Sequence, residues 1–409
     1  MANNPVRKIR KYDCRNGSIQ LSRNLQLPIH HQKSTRNANV LLVGSAQHAN
    51  ETIRKNIINA DTSLIIFDDG GHFWKDTRSI LEEKGFRVSA LFCNNQAESL
   101  HYNPLVYVSQ PEELSSLTDI LTRNPNVDNS CCNQASTLIY LLVRYMMKTT
   151  PKGDWSFAKT YKISCQWLHD DNPQQALNSV FNDFENNIDL KQEYDEFMAK
   201  VTDLPKVCLY AAQCFLPFIM PLTEKKFNTD SLYLCSVGEV EKDVLFIITD
   251  EEDNSYHKII HMLWQQLYDE LYERDHSKPI KVLIPNMEQY GELPQMHLFL
   301  LTLRYKHICA MMHIHSTEQL ARQYPNSEDI LGDCDSCVLY DITTLTQDHV
   351  GNEITECYDL AKESTKIKWP WRKEPETKDV SDVVAAASEL TKYCMVCIRG
   401  YTPAFDFQL

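Results

Sequence analysis

Short, continuous runs of valine, isoleucine and leucine recur along the chain, and most of them end in acidic or other polar residues. Runs of this length predict strands that are buried on both faces, as in a parallel sheet covered by helices. The predicted strands are residues 40–43, 63–69, 244–250, 281–284, 308–316 and 337–342, with a last one at 392–399. Helical patterns lie between them, and the clearest is at residues 256–274. This alternation of strand and helix predicts an α/β domain.

The middle of the chain has a different pattern. From about residue 129 to residue 221 the strand-like runs disappear and helical patterns dominate, for example at residues 176–199. We therefore predict an all-helical insertion between two parts of one α/β domain. The predicted segments are a basic N-terminal segment (1–36), the first part of the α/β domain (37–128), the inserted helical domain (129–221) and the second part (222–409). Residues 366–379, with two prolines and many charges, predict a surface loop.

Composition places limits on the partners. The chain has 409 residues, 43% of them hydrophobic, and a net charge of −14. That charge disfavours the wrapping of nucleic acid by bulk attraction. Two basic stretches are exceptions: the first 36 residues, which a solvated tail also explains, and residues 369–373 (WPWRK), where aromatic and basic side chains alternate as in nucleic-acid stacking platforms. DNA contact is accordingly a secondary expectation.

The sequence predicts a cytoplasmic protein with no membrane span of its own, peripheral to a membrane complex at most. No clean run of about 18 apolar residues and no secretory signal are visible. The 14 cysteines are therefore expected to be reduced. Two C-x-x-C pairs, Cys334–Cys337 and Cys394–Cys397, lie too far apart for a usual zinc site, and residues three apart on a strand face opposite sides. We expect no metal site.

Residues 39–52 (NVLLVGSAQHANET) have the outline of a phosphate-binding loop. An apolar run ends at Gly44, and a polar stretch beginning at Ser45 leads into a helical pattern. A working loop needs the pattern G-x-x-x-x-G-K-[ST]. Counted from Gly44, the second glycine is replaced by Ala49, the lysine by Asn50 and the hydroxyl residue by Glu51.

Several segments together resemble the coupling proteins of conjugative type IV secretion, the TraG/TraD type, in the form found on mobile elements of Gram-positive bacteria. The segments that carry the resemblance, in order, are residues 36–44 (RNANVLLVG), 62–68 (TSLIIFD), 102–104 (YNP), 281–286 (KVLIPN), 332–335 (GDCD) and 398–400 (IRG). The resemblance implies a RecA-like P-loop NTPase fold, a largely parallel sheet with helices on both faces and an inserted all-helical domain. Members of that family usually have N-terminal membrane-spanning helices, so we expect either a soluble paralogue or partners that supply the anchor.

The departures from the family pattern concentrate in the motifs that carry the family's nucleotide chemistry. Asn50 removes the positive charge that the loop lysine gives to the phosphates. Glu51 is expected to aim a carboxylate at the phosphate space, where two like charges repel by roughly 1–4 kcal/mol. The family's second acidic motif, which holds magnesium and activates water, is replaced by Pro285 and Asn286. A glutamine of the family aligns with His315.

These residues predict an inactive remnant of a nucleotide site, with no catalytic residue and no cofactor. Its members are Gly44, Ser45, Ala49, Asn50, Glu51, Pro285, Asn286 and His315. The first functional hypothesis is therefore a non-catalytic scaffold or partner subunit (a pseudo-ATPase) in conjugative DNA transfer. Its partners would be type IV secretion or relaxosome proteins, an intact coupling-protein paralogue among them.

Two other hypotheses stay open. One is an ATP-driven DNA or protein translocase with an unorthodox site, in which Asp68, Asp69 or Glu288 replaces the lost carboxylates and ATP and Mg²⁺ are the cofactors. The other is an unrelated α/β binding protein. Asp68 and Asp69 are alternatively interpreted as a solvated turn, and His313 and His315 as two partly exposed histidines at the end of a strand rather than a metal pair.

Overall fold

The structure is a computed structural model, and the residues it describes are 17–29, 37–93, 98–182, 188–220, 224–238, 242–250, 254–274, 278–340, 365–367, 376–378, 393–399 and 404–407. These residues cluster into two compact units. One unit comprises Met1–Ala90, Leu234–Glu252 and Leu267–Leu409, and the other comprises Leu91–Tyr233 and Asp253–Gln266.

A largely parallel sheet is the centre of the first unit. Nine of the described strands form it, in the spatial order β13-β12-β9-β3-β8-β7-β4-β6-β5. The bounds are β3 Val40–Val43, β4 Ser63–Asp69, β5 Arg87–Phe92, β6 Asp243–Thr249, β7 Ile280–Ile284, β8 Ile308–Ile314, β9 Ser336–Leu339, β12 Tyr393–Ile398 and β13 Ala404–Phe407. The pairs from β9 through β3, β8, β7 and β4 to β6 are parallel, whereas β12 is antiparallel to both β9 and β13.

Burial explains why these segments are strands. Every residue of β3, β6, β7, β8 and β9 is buried, so the apolar runs have no solvent face, as strands covered on both sides require. The first unit also holds the helices α1 Ala46–Ile58, α2 His72–Glu83, α12 Met296–Thr302, α13 Thr317–Gln323 and α14 Ser327–Gly332. The predicted α/β sheet is confirmed.

The second unit is helical. Its helices are α3 Pro111–Thr122, α4 Asn129–Thr149, α5 Phe157–Leu168, α6 Pro173–Asn182, α7 Ile188–Lys200, α8 Leu204–Cys214, α9 Leu216–Ile219 and α10 Glu224–Asn228, and the first half of α11 His257–Glu273 belongs to it as well. Side-chain caps set several of the starts: Asp128 accepts the amide of Cys131 before α4, and Ser156 that of Lys159 before α5. The helical stretch predicted at 176–199 is divided between α6 and α7.

Two small antiparallel hairpins complete the described structure. The pair β1 Ser18–Ser22 and β2 Leu25–Pro28 buries Ile19, Leu21 and Leu25, so this part of the predicted basic segment is not a solvated tail. The pair β10 Thr365–Ile367 and β11 Glu376–Lys378 falls within the stretch predicted as a surface loop. The basic residues before residue 17 and the WPWRK stretch lie outside the described residues.

The remaining sequence predictions at the level of the fold have mixed outcomes. The ends of the predicted strands agree to within two or three residues, and β3 and β4 agree at both ends. The domain boundaries at 128 and 221 stay a prediction, although the helical unit found here also contains α3. Within the described ranges, no helix combines the length and the apolar character needed to cross a bilayer.

Candidate functional site: a closed strand-to-helix turn

The turn between β3 and α1 contains only two residues, Gly44 and Ser45. The helix begins at Ala46, and the amide of Ala49 already donates to the carbonyl of Ser45 over 3.0 Å. In a phosphate loop the four residues after the first glycine stay open, so that their amides can point at phosphate oxygens. Here the first of them, Ser45, is the residue before the helix and the next three already belong to its first turn, so the open loop is absent.

This early start moves the other predicted site residues away from the helix terminus. Asn50 lies four residues into α1, about 6 Å along the axis at 1.5 Å per residue. Glu51 forms an ion pair with Lys55, one turn further on, with 3.5 Å between Oε1 and Nζ. The expectation that the Glu51 carboxylate points into the phosphate space is therefore wrong, because its helical position directs it along the helix surface.

Tyr340, which follows β9, closes the turn. Its amide donates to the Val43 carbonyl over 2.9 Å, and a Cβ placed on Gly44 would collide with its carbonyl oxygen. Gly44 has φ +108°, which also favours glycine. The Tyr340 side chain is fully buried, lies 2.6 Å from the hydroxyl of Thr52 in α1, and has its pKa raised by burial. Tyr340 could not be predicted as part of the site, because its contact with the turn spans almost 300 positions of chain.

His313 joins the two predicted motifs directly. Its Nδ1 lies 2.9 Å from the carbonyl oxygen of Pro285, and its Nε2 lies 3.0 Å from that of Gly44. The side chain is only 1% exposed, so the prediction of a partly exposed histidine is wrong. It is buried because its strand is internal to the sheet and its ring fits between two turns. Burial lowers the pKa of His313, although both carbonyl contacts oppose that shift.

The second predicted motif supplies no carboxylate of its own. Pro285 presents only its carbonyl, to His313, and Asn286 donates through Nδ2 to Oδ2 of Asp69 over 3.3 Å. The amide of Met287 donates to the His313 carbonyl over 3.1 Å, which fixes this loop against the end of β8. The loop is therefore held by hydrogen bonds that need neither a magnesium ion nor a nucleotide.

Asp68 at the end of β4 is a helix cap. It is fully buried, and its two carboxylate oxygens accept the amides of Phe73 and Trp74 in the first turn of α2, at 3.1 and 2.7 Å. Burial raises the pKa of Asp68 to about 6, although those amides oppose the shift. The interpretation of Asp68 as part of a solvated turn is wrong, because the carboxylate satisfies amides that would otherwise be buried without a partner.

His315 and Glu288 lie at the rim of the site. The His315 Nδ1 is 3.8 Å from the Glu288 carboxylate, with side chains 52% and 60% exposed. Exposed pairs of this kind contribute little to stability. The His315 ring lies 4.9 Å from that of His313, so the two histidines are neighbours in different environments.

The carboxyl ends of β3, β4, β7 and β8 thus bring most of the predicted residues to one edge of the sheet, where α/β folds bind ligands. Asn50 and Glu51, which lie further along α1, are the exceptions. The residues present do not fit ATP with Mg²⁺: the loop amide of Ala49 is used within the helix, the Tyr340 carbonyl covers Gly44, and both oxygens of Asp68 accept helix amides. Among the described residues no group of three or more His, Cys, Asp or Glu could hold a metal ion.

No protein-family model matches the chain, and no curated protein matches it by sequence. The fold, in contrast, has solved counterparts. The sheet order and the inserted helical unit define a RecA-like P-loop NTPase fold.

Two of the solved proteins with this fold are TrwB and VirB4. The unbound bacterial conjugative coupling protein TrwB is 13% identical, with a TM-score of 0.68, over 100% of this chain and 92% of that chain. Plasmid coupling protein TrwB in complex with ADP and Mg²⁺ is 12% identical, with a TM-score of 0.66 over the same shares. VirB4 of Thermoanaerobacter pseudethanolicus is 10% identical, with a TM-score of 0.55, over 97% of each chain. The relation to coupling proteins predicted from the sequence is thus confirmed at the level of the fold.

The closed turn makes a testable prediction about Gly44. Gly44→Ala should lower the free energy of unfolding by at least about 2 kcal/mol more than Gly85→Ala, measured by urea denaturation of the full chain. Both glycines have positive φ, which costs alanine roughly 1–3 kcal/mol, but a Cβ on Gly85 would meet nothing within 4 Å. Gly85→Ala is therefore the matched control for backbone strain alone. Equal losses would show that Tyr340 does not close the turn.

The buried carboxylate of Asp68 predicts a pH-dependent effect. The folded pKa, about 6, lies above the ordinary 3.8, so the stability that this group contributes is fully present below pH 3.8 and is lost as the pH rises through 6. Asp68→Asn removes the ionisation and at least one amide contact, and only the first effect depends on pH. Between pH 4 and pH 7.5, the free energy of unfolding of the variant should rise by up to roughly 3 kcal/mol relative to that of the wild type. Urea unfolding of both proteins across that range is the measurement, and a constant difference would contradict it.

Proposed function

We propose that the chain is a coupling-protein-like component of a conjugative type IV secretion system and acts as a non-catalytic scaffold or partner subunit. The fold that it shares with TrwB and VirB4 over nearly its whole length supports the first part. Its partners would be secretion or relaxosome proteins, with an intact coupling-protein paralogue as one candidate.

A single observation carries the non-catalytic part of the proposal: α1 begins at Ala46, directly after a two-residue turn. A phosphate-binding loop supplies an open run of backbone amides ahead of its helix and a lysine at the helix terminus. Here the helix starts without that open run, and Asn50 stands at the lysine position. TrwB, by contrast, has been solved with ADP and Mg²⁺ and with a non-hydrolysable GTP analogue. The structural difference between a nucleotide site and this turn is therefore one of backbone path as well as of side chains.

The translocase alternative needs a carboxylate near the turn to hold Mg²⁺ or to orient water. Asp68 has both oxygens on the amides of α2, Asp69 accepts from Asn286, and Glu288 is largely exposed beside His315. Each candidate is either engaged in holding the fold or open to solvent. The geometry therefore favours the scaffold over the translocase.

Nucleotide binding is the direct test. We expect no heat of binding and no thermal shift when ATP or GTP is added at millimolar concentration with Mg²⁺. A dissociation constant in the low micromolar range would overturn the proposal and favour the translocase.

A triple variant tests whether the three loop side chains are all that ATP hydrolysis lacks in this chain. Asn50→Lys with Glu51→Thr and Ala49→Gly returns the side chains of the loop pattern but leaves Pro285 and Asn286 in place. Phosphate release should stay absent in this triple variant, because no carboxylate is added to hold magnesium or to orient water. Turnover by the triple variant alone would show that another carboxylate already serves.

The role in DNA transfer has a separate test in a donor cell that carries the gene on its mobile element. Deletion should lower the frequency of conjugative transfer at least tenfold. Complementation with the wild type and with an Asn50→Ala, Glu51→Ala variant should restore transfer equally, because neither side chain is needed for nucleotide chemistry. Unchanged transfer after deletion would contradict a role in secretion, and failure of the variant alone would contradict the non-catalytic role.

A further inference from the structure

The helical unit contains an open groove that the remnant nucleotide site does not use. One face each of α3, α4 and α7 encloses a cavity of about 520 Å³. Apolar atoms make up most of its lining, with Leu141 and Phe197 buried in its floor and Tyr140 half-exposed. At 1.5 Å per residue, the stretch of α3 from Pro111 to Asp119 runs about 12 Å along the groove. That length suits two turns of a helix or a short extended segment.

Two residues of the groove lining, Tyr140 and Glu193, already contact an arginine of this chain. The Arg144 guanidinium, which lies outside the described lining, is 5.5 Å from the centre of the Tyr140 ring and is paired with Glu193. Stacking on an aromatic ring combined with a carboxylate contact is a favourable setting for arginine. The same two elements, aromatic or apolar floor and acidic rim, continue along the rest of the groove.

The rim has more negative charge than the chain itself neutralises. Glu112, Asp119 and Glu196 are exposed at the groove, and among the residues that the structure describes none of the three forms an ion pair. Asp119 accepts a hydrogen bond from Ser136 over 2.5 Å, which fixes its carboxylate beside the cavity. Among the described residues of the lining, Lys200 is the one cation. The groove is therefore complementary to a positively charged occupant with an apolar face.

We propose that this groove binds a basic, amphipathic segment of a partner protein, with Lys or Arg side chains on the acidic rim and apolar side chains on Leu141 and Phe197. An amphipathic helix in a groove buries its apolar face while its charges set orientation and specificity. Nucleic acid is disfavoured, since its phosphates would meet three carboxylates. The inference rests on the proposed function only for the origin of the partner, and its test needs neither nucleotide nor a secretion system.

The test uses the full chain and random 12-residue peptides displayed on phage. Selected peptides should carry at least two Lys or Arg residues among Leu, Phe or Trp. A labelled selected peptide is then titrated by fluorescence anisotropy against the wild type, against Glu112→Lys with Glu196→Lys, and against Asp171→Lys with Asp195→Lys. The last pair is the matched control, because both residues are exposed acids of the same unit outside the groove lining. All variants must show the wild-type helical content and melting temperature.

The expected result is a loss of affinity of at least about tenfold for the groove variant, with less than about twofold for the control, and weaker binding as salt rises. Equal losses in both variants would mean non-specific attraction to an acidic protein and would overturn the proposal. A variant without residues 1–16 gives a further check: if its affinity for the peptide rises tenfold, the basic start of this chain is the occupant, and the partner proposal fails. Failure of nucleotide or transfer tests leaves these outcomes unaffected.

Discussion

The contact between the Gly44 backbone and the carbonyl of Tyr340 is the constraint on which the site depends. It leaves no room for a side chain on Gly44, at the point where β3 passes into α1 through a two-residue turn. His313 extends the same constraint to the next loop, since its two ring nitrogens face the carbonyls of Gly44 and Pro285. A neutral imidazole has one N–H and can donate to only one of them. The edge of the sheet is thus held by polar contacts within the chain, where a nucleotide-binding relative would place phosphate.

The sheet and the site differ in what they need for stability. Strands such as β6 and β7 are buried along their whole length, and apolar burial stabilises them whatever lies at their ends. Asp68 illustrates how a residue at the edge can be kept for a structural reason, since its carboxylate caps α2. Residues at this edge of a RecA-like sheet can therefore vary while the core is retained. The helical unit can keep a binding role of its own for the same reason.

Much of the fold could be predicted from the sequence, because apolar runs and helical periods are local patterns. The strand at Ser63–Asp69 and the helix at His257–Glu273 are examples. The candidate site could be predicted only in part. The departures from the family pattern at Asn50, Glu51, Pro285 and Asn286 are visible as residue types. The burial of His313 and the closing contact of Tyr340 are not, because both depend on pairing between strands far apart in the chain. The hairpin at Ser18–Pro28 was missed because its short alternating strands lie in a polar, basic stretch.

The two-residue turn has a consequence for how changes at the site combine. A phosphate loop and a closed turn are alternative backbone paths. A residue that suits one path therefore affects the free energy only when the chain follows that path. Substitutions at positions 49, 50 and 51 should then interact strongly with substitutions at 313 and 340, rather than add. In energetic terms the closed turn and an open phosphate loop are separate minima. The difference between them depends on the whole set of contacts around Gly44 and not on the number of residues that differ.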